Sequence, residues 1–340
     1  MRQHRVVILT DLHLKSSGVY GYLNAQIDTL LRLVNRKIAH TVVINGDVFD
    51  RRNPRGREML ALKSLIDGIK AKQIIINTGN HDCITKDMSM DTTLSLYESD
   101  RVKVVTKAEI IPIANIPFAF IPHSEDENKI IQDIKDTDPH PLFGHFGFDG
   151  SVANGSYLYD SYVKKAHFKD RLTFLGHIHK PMQYKSNIYM LGTQYSCSFG
   201  EANSQKYIHE LIIRDNEIEV VKKPIDFGIK HIVCTLDEVE DMDKKYGFRN
   251  YFTLLRVKVD TLDSFAEEKI KENILSNYDV AHLEIVFEDI LPKLGPGHSL
   301  MGGSKLSIDD AMIEKYVKES STIFSDEDIF DSLDIIKNYK

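Results

Sequence analysis

The sequence predicts a layered α/β fold with a second, smaller α/β unit, and three observations lead to this prediction. Short β-branched runs alternate with amphipathic helical patterns over residues 6–77, and a second series of short strands follows up to Pro224. A strand–helix–strand pattern then restarts after residue 229. The hydrophobic content of 42% and the charged content of 27% are ordinary for a globular protein. Since alternating strands and helices form mostly parallel sheets covered by helices, we expect that arrangement here.

The first predicted unit covers residues 1–225 and ends near Pro224. Apolar runs indicate buried strands, and apolar residues at helical spacing indicate helices. These patterns predict strand Val6–Thr10, helix Asn24–Arg36, strand Thr41–Ile44, helix Arg57–Lys70, strand Ile74–Asn77, strands 102–105, 109–113 and 117–121, helix 127–136, and strands Leu142–Gly144 and Thr173–Leu175. Residues 187–222 are typical of a β-meander.

The rest of the chain predicts three further segments. Residues 226–292 form a small α/β domain, with strand His231–Leu236, strand Phe252–Val259, helix Ser264–Asn277 and strand His282–Phe287. Residues 293–304 are rich in Gly and Pro and predict a linker. Residues 305–340 carry five Lys and nine Asp or Glu, and their apolar residues recur at helical spacing. An acidic amphipathic segment of this kind favours docking on a protein partner, although packing on its own domain is the plainer alternative.

Charge and cysteine content exclude several classes of protein. The formal net charge of −7 argues against coating nucleic acid by bulk positive charge, but it leaves room for a local basic groove. The three cysteines are far apart, so we expect reduced thiols and a cytoplasmic location. The apolar run before Asp11 is too short for a signal peptide, and no stretch reaches the ~18 apolar residues of a membrane span.

Polar side chains follow five of the predicted strands. They form the segments Asp11-Leu-His13, Gly46-Asp47, Gly79-Asn80-His81-Asp82, Gly144-His145 and Gly176-His177-Ile-His179. Because sites in open α/β sheets form at the carboxyl ends of strands, we expect these side chains to meet at one edge. A glycine before a ligand lets the backbone turn sharply and crowd near an ion. Any one of these histidines alone is more often structural, but five such segments in order are hard to obtain by chance.

The mixture of carboxylate, amide and imidazole ligands favours divalent metals such as Mn, Fe or Zn over Ca or Mg. Two ions ~3.5–4 Å apart clamp the attacking and the leaving oxygen of a phosphoryl transfer. Asp47 is our candidate for a carboxylate that bridges the two ions, and His81 is our candidate general acid. We interpret Asp82 as either orienting His81 or shaping the turn, and His123 as structural.

These segments resemble the five motifs of the calcineurin-like metallophosphoesterase superfamily, over most of residues 1–225. The motifs read DLH at 11–13, GDVFD at 46–50, GNHD at 79–82, GH at 144–145 and GHIH at 176–179. The resemblance implies a layered β-sandwich flanked by helices. It implies one metal ion held by Asp11, His13, Asp47 and His179, and a second held by Asp47, Asn80, His145 and His177. It also implies that His81 is the catalytic histidine.

Three further features resemble SbcD-type nucleases of DNA double-strand-break repair. GHIHKPM at 176–182 leads into LGTQYSCSFGE at 191–201, a small α/β domain follows the core, and a linker precedes terminal helices. The resemblance implies Mn²⁺, 3′-to-5′ exonuclease action on duplex ends and endonuclease action on single strands. It also implies a homodimer joined to an SbcC-type coiled-coil ATPase. The compact second domain resembles versions carried by tailed bacteriophages, which would place the protein in the host cytoplasm.

Arg51, Arg52 and Arg55 follow the GDVFD motif and are our candidates for contacts with DNA phosphates, although a solvated loop is the plainer interpretation. Two other functions stay open. One is a phosphatase or cyclic phosphodiesterase that acts on a small molecule or a protein. The other is a scaffold subunit that recruits the ATPase without catalysis, against which the seven intact ligand positions argue.

Overall fold

The computed structural model describes residues 3–84, 91–152, 158–260 and 264–287. The chain divides into two units, Met1–Asp289 and Ile290–Lys340, and every described residue belongs to the first. The predicted linker at 293–304 and the predicted helical segment at 305–340 lie outside the described residues. No helix within the described ranges is both long and apolar enough to cross a membrane.

Strands and helices alternate along the described residues as the sequence predicts, with fifteen strands and five α-helices in these ranges. The strands are β1 His4–Leu9, β2 Thr41–Asn45, β3 Gln73–Asn77, β4 Val102–Val105, β5 Glu109–Ile113, β6 Ile116–Ile121, β7 Leu142–His145, β8 Thr173–Gly176, β9 Met182–Tyr184, β10 Ile188–Met190, β11 Tyr207–Arg214, β12 Glu217–Pro224, β13 Gly228–Thr235, β14 Tyr251–Val259 and β15 His282–Phe287. The helices are α1 Tyr22–Asn35, α2 Gly56–Gly68, α3 Glu127–Asp136, α4 Val239–Tyr246 and α5 Ser264–Asn277.

Two six-stranded mixed sheets form the body of the molecule. The first has the order β12-β11-β1-β2-β3-β4, with β1 to β4 parallel and β11 antiparallel to β1. The second has the order β5-β6-β7-β8-β10-β9, with β6, β7, β8 and β10 parallel. These parallel strands run together because helices and long loops return the chain to the same end of each sheet. The predicted layered α/β class is confirmed.

The core lies in layers because successive strand residues point to opposite faces of a sheet. In β1, Val6 and Ile8 face the second sheet and join the phenylalanines of β6, β7 and β8 in a shared core. Val7 and Leu9 face the other way and pack with α1 and α2. The outer face of the second sheet packs against α3 in the same manner. The order of layers is therefore helix, sheet, sheet, helix.

The predicted β-meander over residues 187–222 is wrong. Strand β10 pairs with β8 and β9 in the second sheet, whereas β11 and β12 pair in the first sheet. Residues 191–206 carry the chain from one sheet to the other. Short strands with similar apolar patterns do not reveal which sheet they join, because either partner satisfies the pattern. The sequence also did not predict β9 or α4.

A third sheet contains the parallel strands β13, β14 and β15. It has a hydrophobic cluster of its own, formed by buried residues that include Ile232, Phe248 and Leu255. Its strand β13 also contacts α1, where Gly228 packs directly beside Thr29. This sheet lies in the region for which the sequence predicts a small α/β domain, residues 226–292.

Candidate metal centre

The seven ligand candidates gather at one edge that the two large sheets share. Four follow the parallel strands of the first sheet: Asp11 and His13 after β1, Asp47 after β2 and Asn80 after β3. His145 ends β7, and His177 and His179 follow β8, in the second sheet. The ligand candidates therefore meet at one edge, as expected, but this edge belongs to both sheets of the sandwich. Each sheet contributes some of the ligand candidates.

Two buried asparagines join the sheets directly beneath this edge. Asn45 donates from Nδ2 to the Gly144 carbonyl at 2.8 Å. Asn77 donates from Nδ2 to Asn45 Oδ1 at 3.1 Å and to the Ile121 carbonyl at 3.1 Å. Both side chains are fully buried, so each polar atom left without a partner would cost free energy. These bonds fix the spacing of the sheets where the ligands converge.

The glycines before the ligands leave no room for a side chain. A Cβ on Gly46 would lie 2.1 Å from His145 Nδ1, and a Cβ on Gly79 would lie 2.2 Å from Asp47 Oδ1. A Cβ on Gly176 would lie 2.3 Å from the Thr10 hydroxyl oxygen. The expected crowding of backbone at the site is therefore present at these three glycines.

One cluster combines Asp11, His13 and His179, whose ligand atoms lie within 4.8 Å of one another. The Nε2 atoms of His13 and His179 are 2.9 Å apart. His179 Nε2 also lies 3.9 Å from Asp11 Oδ1, and His13 Nε2 lies 3.8 Å from Asp47 Oδ2. Because Asp47 is also close to the next cluster, its carboxylate lies between the two groups.

The second cluster combines Asp47, His145 and His177, again within 4.8 Å. His145 Nε2 lies 3.3 Å from Asp47 Oδ2, and His177 Nδ1 lies 2.9 Å from Asn80 Oδ1. His145 donates from Nδ1 to the Asn45 carbonyl at 2.6 Å, so Nε2 is the ring nitrogen that faces the cluster. All seven candidates are thus linked by short distances.

Several features fit divalent cations at these clusters. His145 Nε2 is buried and makes no hydrogen bond of good geometry, although Asp47 is near. Two imidazole nitrogens only 2.9 Å apart, as in His13 and His179, suit a shared ion, since ligands at roughly 2.0–2.2 Å from an ion lie about 3 Å from one another. Two carboxylates at the centre supply the negative charge that such ions require.

The protonation of the pair Asp47 and His145 follows from their mutual attraction. Burial opposes charge on Asp47, but His145, His13 and His81 outweigh burial and hold the pKa of Asp47 far below its ordinary value. Burial likewise lowers the pKa of His145, but the charges of Asp47 and Asp11 raise it to about 10. Without bound metal, the positive charge of protonated His145 therefore offsets the negative charge of the Asp47 carboxylate.

His81 lies beside the first cluster and is held at two points. Its backbone N–H donates to Asp47 Oδ1 at 2.9 Å, and its ring Nδ1 donates to the Asp50 carbonyl at 2.8 Å. The interpretation of Asp82 as the residue that orients His81 is wrong. Its carboxylate instead accepts hydrogen bonds from the backbone N–H groups of Val48, Phe49 and Gly79, as a turn residue does.

The three predicted phosphate-binding arginines lie on the loop between Asp50 and α2. Arg51 and Arg52 are half-buried, and Arg55 is exposed just before the helix. The Arg55 backbone N–H donates to the buried carboxylate of Glu58 at 2.7 Å. The arginines are therefore close in sequence to Asp50, whose carbonyl accepts a hydrogen bond from His81. Their contact with DNA stays a prediction.

Sequence reasoning missed two residues of the site. His123, interpreted as structural, has its ring centroid 5.5 Å from that of His177 and hydrogen bonds through Nδ1 to the His145 carbonyl at 3.1 Å. Glu201 accepts a hydrogen bond from His179 Nδ1 at 2.7 Å. The FGE segment at 199–201 was a usable signal for Glu201, whereas a lone histidine after a strand gave none for His123.

Comparison with known protein families places the chain in one family. Residues 4–181, more than half of the 340-residue chain, match the family described as calcineurin-like phosphoesterase. None of the curated proteins matches the chain significantly in sequence.

The solved structures to which the chain is similar are distant from it in sequence and in structure. An archaeal phosphodiesterase is 15% identical, with a TM-score of 0.34, over 65% of this chain and 99% of its own. The Pseudomonas putida nuclease MPE is 16% identical, with a TM-score of 0.30, over 54% of this chain and 66% of its own. The purple acid phosphatase PPD1 of yellow lupin is 11% identical, with a TM-score of 0.41, over 66% of this chain and 52% of its own.

Proposed function

Since the chain belongs to the calcineurin-like phosphoesterase family of metal-dependent phosphoester hydrolases, we propose that it cleaves DNA as the nuclease subunit of an SbcC/SbcD-type complex. The main support for phosphodiesterase chemistry is that seven ligand candidates, from two sheets, gather around the carboxylate of Asp47. The features that favour DNA are the SbcD-like segment 191–201 and the small sheet that packs beside it.

The proposed metal ligands follow the two clusters. Asp11, His13 and His179 would hold one ion, and His145, His177 and Asn80 would hold the other. Asp47 would be the ligand common to both, because its carboxylate lies 3.8 Å from His13 and 3.3 Å from His145. When bound, two divalent ions, which we propose to be Mn²⁺, act as Lewis acids on the attacking and leaving oxygens of the phosphodiester.

The protein residues supply orientation and a proton. The Asp50 carbonyl accepts from His81 Nδ1, so the ring is fixed and Nε2 is the atom that carries a proton to the leaving oxygen. The bond from the His81 backbone to Asp47 Oδ1 ties this ring to the bridging carboxylate. Arg51, Arg52 and Arg55 are proposed to hold DNA phosphates beside the site.

The remaining assignments extend the same proposal. We assign 3′-to-5′ exonuclease action on duplex ends and endonuclease action on single strands to residues 1–225. Residues 226–292 are proposed to cap the site and contact DNA. Residues 305–340 are proposed to dock on an SbcC-type ATPase, and two copies of the chain are proposed to form a homodimer.

The first test is digestion of end-labelled linear duplex DNA in the presence of Mn²⁺. We expect the wild type to cut, the chelator EDTA to abolish cutting, and His81→Asn to reduce the rate roughly 10²- to 10⁴-fold while two ions still bind. His140→Asn is the matched control, because His140 is half-buried and precedes β7 rather than following it.

The outcome also decides between substrates. A wild type that leaves DNA intact, alone and with an SbcC-type partner plus ATP, would contradict the nuclease proposal. Hydrolysis of bis(p-nitrophenyl) phosphate by that same preparation would then favour a small-molecule phosphodiesterase.

A further inference from the structure

Glu201 is a buried carboxylate that contacts a metal-ligand candidate on one side and a buried cation on the other. Its Oε1 atom accepts from His179 Nδ1 at 2.7 Å. Its Oε2 atom lies 2.5 Å from Lys206 Nζ and accepts from the Thr193 hydroxyl at 3.0 Å. Glu201, Lys206 and Thr193 are 8%, 6% and 0% exposed. Both carboxylate oxygens are therefore satisfied inside the protein.

The contact with Glu201 determines which nitrogen of His179 faces the site. Because a carboxylate only accepts hydrogen bonds, Nδ1 must carry the proton, and Nε2 keeps its lone pair. Nε2 is the atom that lies 2.9 Å from His13 Nε2. A histidine ligand commonly donates its other ring N–H to a carboxylate or carbonyl, which fixes the ring and makes the ligating nitrogen more basic.

The turn that carries Glu201 is clamped by the third sheet. Phe199 lies 4.8 Å from the His231 ring in an edge-on contact, and the Arg256 guanidinium lies 3.9 Å from the centre of the Phe199 ring. The His231 backbone N–H donates to the Ser196 hydroxyl at 2.7 Å, and the Asn203 backbone N–H donates to the His231 carbonyl at 3.1 Å. Strand β13 therefore holds both ends of the turn, and Arg256 of β14 packs on Phe199 between them.

A metal ion between His179, Cys197 and Glu201 is the competing interpretation, because these three side chains also lie within 4.8 Å of one another. Lys206 already occupies the anionic side of that cluster at 2.5 Å from Glu201. Burial also raises the pKa of the Cys197 thiol well above its ordinary value, which opposes formation of the thiolate that a metal would require. The cluster is therefore a hydrogen-bonded support for His179.

We propose that Glu201 is a positioning residue that holds His179 ready to bind metal, and that the third sheet keeps Glu201 in place through Phe199. The proposal rests on the metal-binding part of the proposed function and does not depend on DNA being the substrate.

The test measures Mn²⁺ affinity and stoichiometry by titration calorimetry on metal-free, full-length protein. We expect Glu201→Ala to weaken one of two sites roughly 10- to 100-fold. Glu201→Gln keeps an acceptor without the charge, so we expect a smaller loss, of several-fold. Near-ultraviolet circular dichroism establishes that each variant is folded.

Glu210→Gln is the matched control. Glu210 is 7% exposed and forms ion pairs with Arg5 and Lys223, as buried as Glu201, but it touches no ligand candidate. We expect it to leave Mn²⁺ affinity unchanged. For the clamp, Arg256→Ala removes the contact with Phe199, whereas Glu284→Gln only removes the negative charge of the carboxylate that pairs with Arg256 and His282. We expect a measurable loss of affinity from the first and none from the second.

A folded Glu201→Ala protein that binds two ions as tightly as the wild type would overturn the proposal. If the alanine variant does not fold, Glu201→Gln decides, and wild-type affinity in that variant overturns it equally. Wild-type affinity in Arg256→Ala would overturn the role of the third sheet alone. Weakened Mn²⁺ binding in a protein that never cuts DNA would support the positioning role while contradicting the nuclease proposal.

Discussion

Four of the metal-ligand candidates occupy a backbone conformation that residues with a side chain rarely adopt. The φ angles are 50° for Asp11, 43° for His13, 50° for Asp47 and 81° for His177. Each such residue costs on the order of 1–3 kcal/mol and persists only where the surroundings enforce it. Here the enforcement comes from hydrogen bonds, for example from the His177 N–H to Asp11 at 3.0 Å. The ligand directions are therefore set by strained turns at the strand ends.

Gly79→Ala tests how tightly these turns are packed. The added Cβ would meet Asp47 Oδ1 at 2.2 Å and the Asp47 backbone nitrogen at 2.3 Å, so the bridging carboxylate must move. We expect at least a tenfold loss of Mn²⁺ affinity by calorimetry, equivalent to roughly 1.4 kcal/mol. Gly18→Ala is the control, because nothing lies within 4 Å of its Cβ. Equal affinity in the two variants would contradict the crowding argument.

Metal binding is expected to release a proton from His145. The charges of Asp47 and Asp11 outweigh burial and raise the pKa of His145 to about 10, so at pH 7 a cation must displace this proton. Apparent affinity should therefore rise with pH, by up to about tenfold per unit, until pH approaches the pKa of His145. Calorimetry in buffers of different protonation enthalpy measures the released protons. Affinity that does not change between pH 7 and pH 8 would refute this expectation.

The seven ligand candidates were identifiable from sequence because each lies in a short motif directly after a strand. Asn45 and Asn77 were not, because their partners are distant in the chain: Asn77 bonds to Ile121, and Asn45 bonds to Gly144. A side chain whose role depends on such a contact leaves no local pattern in the sequence. The one local feature here is that β2 and β3 each end in an Asn.

At the scale of elements, amphipathic patterns located four of the five described α-helices and most strands, because burial of one face is a local property. The β-meander prediction failed because pairing is a property of two segments, and residues 191–206 cross between sheets. Helix α4 was missed because its eight residues, VEDMDKKY, are mostly charged. Only Val239 of that helix is buried, which leaves little apolar periodicity to detect.

Phe143→Ala tests the packing between the two large sheets. The Phe143 ring is fully buried in β7 and stacks on Phe120 at 5.0 Å and on Phe174 at 5.1 Å. We expect the free energy of unfolding to fall by about 3–5 kcal/mol, through lost burial and the cavity left behind. Leu60→Ala is the control because Leu60 is 68% exposed. A loss below about 1 kcal/mol in guanidinium denaturation would contradict this account.

At the scale of the whole molecule, buried histidines outside the metal centre predict acid sensitivity. Burial lowers the pKa of His209 and of His231 to about 4, from an ordinary value of 6.5. The unfolded chain therefore binds protons at these positions that the folded chain does not. Stability falls as pH drops from 6.5 towards 4, by on the order of 3 kcal/mol per histidine at most. His145, with its raised pKa, stays protonated throughout this range and adds nothing to the loss.

Urea unfolding at pH 7 and pH 5, in the presence of EDTA, measures this loss. We expect His209→Gln to lose less stability between the two values than the wild type, because glutamine does not titrate. An identical loss in the wild type and the variant would show that His209 does not take part.

The pairing of β1 with β11 affects how the chain folds during synthesis. The ribosome releases the N-terminal end first, so residues 4–9 of β1 emerge about 200 residues before their antiparallel neighbour at 207–214. All seven ligand candidates precede residue 180, yet until β11 arrives, β1 is an open edge strand of the kind that pairs with other chains. A nascent chain ending just after His179 would contain every ligand and still lack both Glu201 and the strand that closes the sheet. Translation therefore supplies the metal ligands first and the parts that hold them last.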